Sequence, residues 1–399
     1  MKKLTISQGV YIYTFVDEFV GMSLIVLAPL YFLSLGLSLS SIGFFLALSP
    51  IAFAVLRLFL AEIADSRGAY GIVKLGVALR TASTLFFLFP MNFLVASIAN
   101  ASAGMGGSPI WTVNRKLLYE NDKEERSGKK AAILKNVKEA GDGLAKFICL
   151  FVVQLFGFFY TFLSLFIFSF LLVIPAKMLS KADARKANVR AANLSLREIF
   201  STVDLRRYSR TFSNIALASL IGLAVDGTVY SFTVAIFLKE IIKLSYFETG
   251  FYLALLSLVS FSSSAFFIHF AKKHVSRTSA FIFGSFLVSA LAILYFFRSP
   301  AGALAFVLLI GTADGVRNIY NEELVAFAVN SDRFARRNPA KAIAVMGFWA
   351  QASKSVSIFA AGIIADFFGF GPVFLIVSAL HIFYVLFAYR TLAPVQKAQ

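Results

Sequence analysis

Apolar residues in this chain run on for about one membrane thickness, stop at a short polar segment and start again. A bilayer core of ~30 Å takes about 20 apolar residues per helix. Runs of that size lie near 9–35, 41–63, 71–89, 92–116, 132–156, 159–178, 211–238, 247–270, 278–297, 302–328, 340–365 and 371–389. The pattern predicts an all-α membrane protein with twelve transmembrane helices. A membrane β-barrel would instead show alternating segments of about ten residues, and these runs are longer and rich in Leu, Phe, Ala and Ile. Composition agrees: 59% of residues are hydrophobic and the mean hydropathy is +0.78, more apolar surface than a soluble fold can hide. The first run follows Met1-Lys2-Lys3 directly and is a full span, so no cleavable signal peptide is expected. The single cysteine, Cys149, excludes an internal disulfide and reads as a packed residue among apolar neighbours.

The net charge of +17 resembles a nucleic-acid signal until the charges are placed. They collect after the even-numbered runs: Arg67 and Lys74; Lys123, Arg126, Lys129 and Lys130; Lys181 through Arg210; Lys272, Lys273 and Arg277; Arg333, Arg336 and Arg337. Three segments on the other side, 36–40, 89–92 and 156–159, carry none, and Lys239, Lys243 and Arg298 are the basic residues that break the pattern. The positive-inside rule then puts both termini in the cytoplasm of a cell with this protein in its inner membrane. The partner of the basic excess is the anionic lipid headgroup rather than nucleic acid.

The longest polar segment, 180–210, divides the chain into residues 1–179 and 211–399, each with six runs. It reads as a cytoplasmic basic linker. The two parts resemble each other: Ile42-Gly43-Phe44-Phe45-Leu46-Ala47-Leu48 aligns with Thr249-Gly250-Phe251-Tyr252-Leu253-Ala254-Leu255 at an offset of 207, and the same offset relates Asn114 and Leu117 to Asn321 and Leu324. Phe156-Gly157-Phe158 aligns with Phe368-Gly369-Phe370 at a different offset, 212. An even count in each half implies parallel repeats about an axis along the membrane normal, with a cleft between them.

With this organisation the chain resembles the major facilitator superfamily of secondary transporters over essentially its whole length. The family's loop motif after span two, Gly-x-x-x-Asp-Arg-x-Gly-Arg-Arg, is met here by Ala61-Glu62-Ile63-Ala64-Asp65-Ser66-Arg67-Gly68-Ala69-Tyr70. Asp65 and Gly68 match, while Ala61 and Ser66 depart. A related pattern, Gly362 to Gly369, ends span eleven and contains Asp366. The resemblance implies alternating access, with Asp65, Gly68 and Asp366 in gating contacts and spans one, four, seven and ten lining the cavity.

Ionisable residues inside spans are costly unless paired or hydrated, so they are the candidates for chemistry. Span one carries Asp17 and Glu18, and span seven, its repeat counterpart, carries Asp226. These acids are candidates for proton coupling. Adjacent helix residues point ~100° apart, so only one of Asp17 and Glu18 faces the cavity; a structural pair with a cation of another span is the competing reading. Span five holds Lys135, Glu139, Asp142 and Lys146 at i, i+4, i+7 and i+11, one face of a helix. The repeat sets Glu139 against Gln351 and Asp142 against Lys354. Glu139, Asp142 and Gln351 are candidates for gating between halves, with substrate contacts or internal ion pairs as the other readings. In span ten Asp314, Arg317 and Asn321 share a face, and span four offers Asn114 and Arg115 after Pro109. Arg317, Lys146 and Lys354, with Asp314, Asn321, Asn114 and Arg115, form the candidate substrate set, since guanidinium grips carboxylate or phosphate bidentately. An ion pair of Arg317 with Asp314 is the competing reading. Arg57 and Arg80 lie near the cytoplasmic side, where snorkelling accounts for them.

No Gly-x-x-x-x-Gly-Lys-Ser/Thr loop, nucleophile motif or cofactor fingerprint occurs, and the three histidines lack metal-ligand spacing. The expectation is a non-enzymatic monomeric transporter with no cofactor and no metal. It moves a small polar, charged solute with protons, as symporter or antiporter. Efflux of amphiphilic or cationic compounds, a lipid flippase, and a non-transporting sensor on the same fold are the alternatives.

Overall fold

The computed structural model describes residues 5–67, 70–119, 127–183, 203–270, 288–337 and 339–391. Its helices are α1 (Ile6–Ser34), α2 (Leu39–Arg67), α3 (Tyr70–Phe86), α4 (Phe93–Tyr119), α5 (Ser127–Ser169), α6 (Val173–Asp183), α7 (Arg210–Asp226), α8 (Val234–Glu240), α9 (Tyr246–Phe270), α10 (Pro300–Ser331), α11 (Arg333–Arg337), α12 (Pro339–Phe368) and α13 (Phe370–Thr391). Residues 288–296 are also helical. Among the described residues twelve passes can be followed, the ninth only over 288–296, and α7 and α8 form one pass through a π-helical turn at Gly227–Thr233. Six described stretches are long and apolar enough to cross a bilayer by length and composition. One of them, Ile133–Leu179, bends at Gly157 and makes two passes.

Local chemistry sets the helix starts. Thr5 and Gln8 form a reciprocal capping box at α1, with Thr5 N–H donating to Gln8 Oε1 at 2.8 Å. Ser299 caps α10, with Pro300 in the first turn where its missing N–H costs nothing. The repeat seen in the sequence is also present in the backbone. Among the described residues four have positive φ: Gly36 (76°), Lys243 (63°), Gly157 (79°) and Gly369 (76°). Gly36 and Lys243 are related by the offset of 207, and Gly157 and Gly369 by the second alignment. Each pair turns the chain between consecutive passes; the left-handed conformation suits glycine at three of the four positions, and Lys243 adopts it without that freedom.

The two six-helix halves meet along two seams, α2 against α12 and α5 against α9. The start of α1 and the end of α13 lie at one face of the bundle, the terminal face. At the opposite, far face the Asp366 carboxylate of α12 accepts from Leu39 N (3.3 Å) and Ser40 Oγ (2.6 Å) at the start of α2. The repeat-equivalent contact is Tyr246 N donating to Gln154 Oε1 at 3.1 Å. Gly43 and Gly362 bring the α2 and α12 backbones together; a Cβ on Gly43 would stand 2.9 Å from Gly362 Cα. At the terminal face Lys341 Nζ lies 2.7 Å from Glu62 Oε2, joining the same two helices. The α2–α12 seam is thus tied at both ends.

The segment entering the second half is tied down by a buried acid. Asp332, between α10 and α11, accepts from Ser209 N at 2.6 Å and Ala335 N at 2.8 Å. Burial alone would raise its carboxyl, but these N–H groups outweigh that and hold it below the ordinary Asp range. Asp332→Ala is expected to cost ~2 kcal/mol of stability at pH 7. A depressed folded pKa contributes stability above the unfolded value of ~3.9, and that contribution fades as pH falls through the folded value. Denaturation of both proteins in detergent should therefore show the gap narrowing between pH 7 and pH 3.

Candidate functional site

Between the halves lies a cavity of ≈ 270 Å³ lined by polar side chains from both. The first half contributes Glu18 from α1, Trp111 from α4, and Lys135, Lys138, Glu139, Asp142 and Lys146 from α5. The second contributes Asp226, Tyr230 and Ser231 around the π-helical turn, Ser257 from α9, Asp314 from α10 and Lys354 from α12. Among the described residues Met22, Ile25, Val26 and Leu256 add apolar lining.

The α5 stripe faces inward as its spacing requires. Lys146 Nζ lies 2.6 Å from Asp142 Oδ2 in an i, i+4 pair, and both meet Ser257 Oγ, which accepts from Lys146 (3.0 Å) and donates to Asp142 (2.8 Å). Lys135 Nζ donates to Ser264 Oγ at 2.8 Å. Lys138 Nζ stands 2.9 Å from the centre of the Trp111 ring, a cation–π contact that holds the indole at the cavity wall. From α10, Asp314 Oδ2 accepts from Ser260 Oγ at 3.0 Å. On the other side of the cavity, the stem of Lys354 fills the space beside Gly227, where a Cβ would come within 2.6 Å of Lys354 Cγ. A π-helical turn directly after Asp226 shifts the register of the following residues and places Tyr230 and Ser231 at the wall beside it.

Of the adjacent acids in α1, Glu18 lines the cavity and Asp17 turns into the first half. Asp17 is 1% exposed and Arg80 of α3 is 4% exposed. The pair is bidentate, with Arg80 Nε 2.8 Å from Oδ1 and Nη2 3.0 Å from Oδ2, and Nη1 donates to Ala103 O at 3.2 Å. Gly21 and Gly107 leave the space that the guanidinium occupies. Snorkelling is thus corrected for Arg80: it points to a carboxylate inside the bundle rather than to the headgroups. Arg57 is buried too. Its Nη2 donates to Trp111 O at 3.4 Å, its Cζ lies 5.7 Å from the Phe53 ring centre, and Nη1 sits where a side chain on Gly347 of α12 would be.

Asn114 is buried in α4 outside the cavity wall, and Gln351 is half-buried on α12 and likewise does not line it. Asp366 joins the halves at the far face. The backbone of Asp65 lies near the end of α2 and those of Arg115, Arg317 and Asn321 lie in α4 and α10; their side chains, and all of Gly68, lie outside the described residues, as does most of the 180–210 linker. A search confined to ionisable residues passes over Trp111, Tyr230 and the α9 serines. Ser257, Ser260 and Ser264 carry a readable signal, hydroxyls at i, i+3 and i+7 within an apolar run.

A profile of the Major Facilitator Superfamily matches residues 10–319, and the chain belongs to that family. It is thereby an integral membrane protein of the secondary transporter class. The fold is similar to the crystal structure of a point mutant of the nucleoside transporter NupG, with a TM-score of 0.67 over 98% of this chain and 100% of that one at 17% identity. No curated protein sequence matches the chain.

Proposed function

We propose that this transporter carries a small polar, charged solute by alternating access, coupled to protons, across the cytoplasmic membrane with both termini inside. The observation that supports this best is the cavity between the halves, lined by five carboxylates and four lysines. So many charged groups of both signs suit an ionic or zwitterionic solute better than an amphiphile. Residues 1–179 and 211–399 are the rocking units and 180–210 their linker.

In this reading Glu18 and Asp226 exchange the proton, and Asp17 supports them from its pair with Arg80. Lys146, Lys354 and Asp314 contact the solute, with Asn114, Arg115, Arg317 and Asn321 completing the polar path along α4 and α10. Asp366 gates the far face, Asp65 and Gly68 the terminal face, and Glu139, Asp142 and Gln351 hold the central contacts. Nucleosides join amino acids and organic acids as candidate solutes because the structural neighbour is a nucleoside transporter.

The test is the purified protein in liposomes carrying a pH-sensitive dye, challenged with amino acids, dicarboxylates, nucleosides and a lipophilic cation. Proton movement evoked by a polar solute is the expected result. Proton movement evoked by the lipophilic cation alone would overturn the solute class in favour of efflux.

A further inference from the structure

The cavity wall is organised by a helix that contributes no charge to it. Ser257, Ser260 and Ser264 of α9 are each 0–1% exposed. At i, i+3 and i+7 they fall within an arc of about 60°. Each hydroxyl holds a charged side chain of the cavity lining: Ser257 holds Lys146 and Asp142, Ser260 holds Asp314, and Ser264 holds Lys135. Ser264 also donates to Gly315 O of α10 at 3.0 Å. The face therefore binds charges from α5 in one half and from α10 in the other.

Packing does not explain it. The repeat-related positions on α2, the equivalent helix of the other seam, are Pro50, Phe53 and Arg57. That seam closes without any of these hydroxyls. The α5 stripe it faces has mixed sign: Lys135, Glu139, Asp142, Lys146. A hydroxyl both donates and accepts, so it can satisfy either sign. An ionised partner in its place would bind one sign firmly and repel the other.

We propose that this serine face is the rocking contact between the halves, with Ser257 as the pivot at cavity depth and Ser264 as the catch at the terminal face. Ser260 is a positioning residue that aims Asp314 into the cavity. The proposal rests on the alternating-access reading above. Ser264 meets Lys135 at the terminal end of the seam, so this contact breaks when the terminal face opens and is remade when it closes. A single hydrogen bond to a hydroxyl can be exchanged for water with little loss, whereas an ion pair, such as Lys341–Glu62 at the same face of the other seam, holds the closed state more firmly.

The test uses the full chain in lipid nanodiscs with Cys149→Ser, spin-labelled in one sample at Leu155→Cys and Phe247→Cys, in a second at Leu35→Cys and Phe367→Cys. These exposed positions report the far end of each seam. Pulsed dipolar distances at about pH 5.5 and pH 8 are expected to show two populations with Ser264 intact. Ser264→Ala weakens closure of the terminal face and should shift the far-face distances toward the short population by about threefold or more; Ser264→Asp, paired to Lys135, should shift them toward the long one by as much. Unchanged ratios, or shifts in the same direction for both variants, would overturn the proposal while leaving alternating access standing. A single distance in both labelled pairs at both pH values, with Ser264 intact, would sink alternating access itself and the proposal with it.

Discussion

Arg80→Ala should lower the stability of the folded protein by ~3–5 kcal/mol, the largest loss expected from any single substitution here. Removing the guanidinium leaves Asp17 as a buried carboxylate without the cation that holds both of its oxygens. It also empties the space between Gly21 and Gly107. Asp17→Ala should cost a similar amount, because it strands the guanidinium instead. The combined change to Asp17→Leu and Arg80→Met is expected to recover much of the loss, since a buried ion pair is worth little more than well-packed apolar groups of similar volume. Unfolding in mixed detergent micelles gives the comparison. Near-equal stability of Arg80→Ala and the unaltered protein would mean that the pair is solvated in the membrane and that Asp17 is available for another role.

This pair marks where the sequence was readable and where it was not. Two charges 63 residues apart share no spacing rule, so nothing in the run of residues 17 to 80 announces that they meet. Hydropathy is a property of segments one bilayer long, and the passes followed it closely because lipid tests each segment independently. The repeat was legible for a related reason. Gly43 and Gly250 are held by the same demand in both halves: each meets the backbone of the opposite half, Gly43 at Gly362 and Gly250 at Lys146 O. The cavity wall was legible where a helix carries several charges, since Lys135, Glu139, Asp142 and Lys146 cannot all face lipid. It was not legible where the lining group carries no charge. Trp111 and Tyr230 resemble the many other aromatics of the chain until the fold places them, and the π-helical turn that carries Tyr230 has no signature in composition.

The division of labour between Asp17 and Glu18 leads to the second large effect. The two carboxylates are adjacent in sequence but face different surroundings: Asp17 has a fixed cation at hydrogen-bonding distance, and Glu18 faces the cavity. Asp17 is committed to the arginine, so under the proposed coupling the proton that moves with the solute is assigned to Glu18. With a gradient of about one pH unit, one proton per solute supplies about 1.4 kcal/mol, enough for about tenfold accumulation. Glu18→Gln keeps the shape and loses the titration. It is expected to abolish accumulation driven by the pH gradient while leaving exchange of labelled for unlabelled solute within about twofold, because exchange needs the cavity to open and close but no net proton movement. Asp226→Asn, in the repeat-related helix of the second half, should show the same split if the two acids act together and a normal gradient response if Glu18 acts alone. Gradient-driven accumulation that survives in both variants would remove the coupling from α1 and α7. The remaining cavity carboxylates, Glu139, Asp142 and Asp314, would then be the place to look, all three on the walls where the α9 serines hold the charges of both halves.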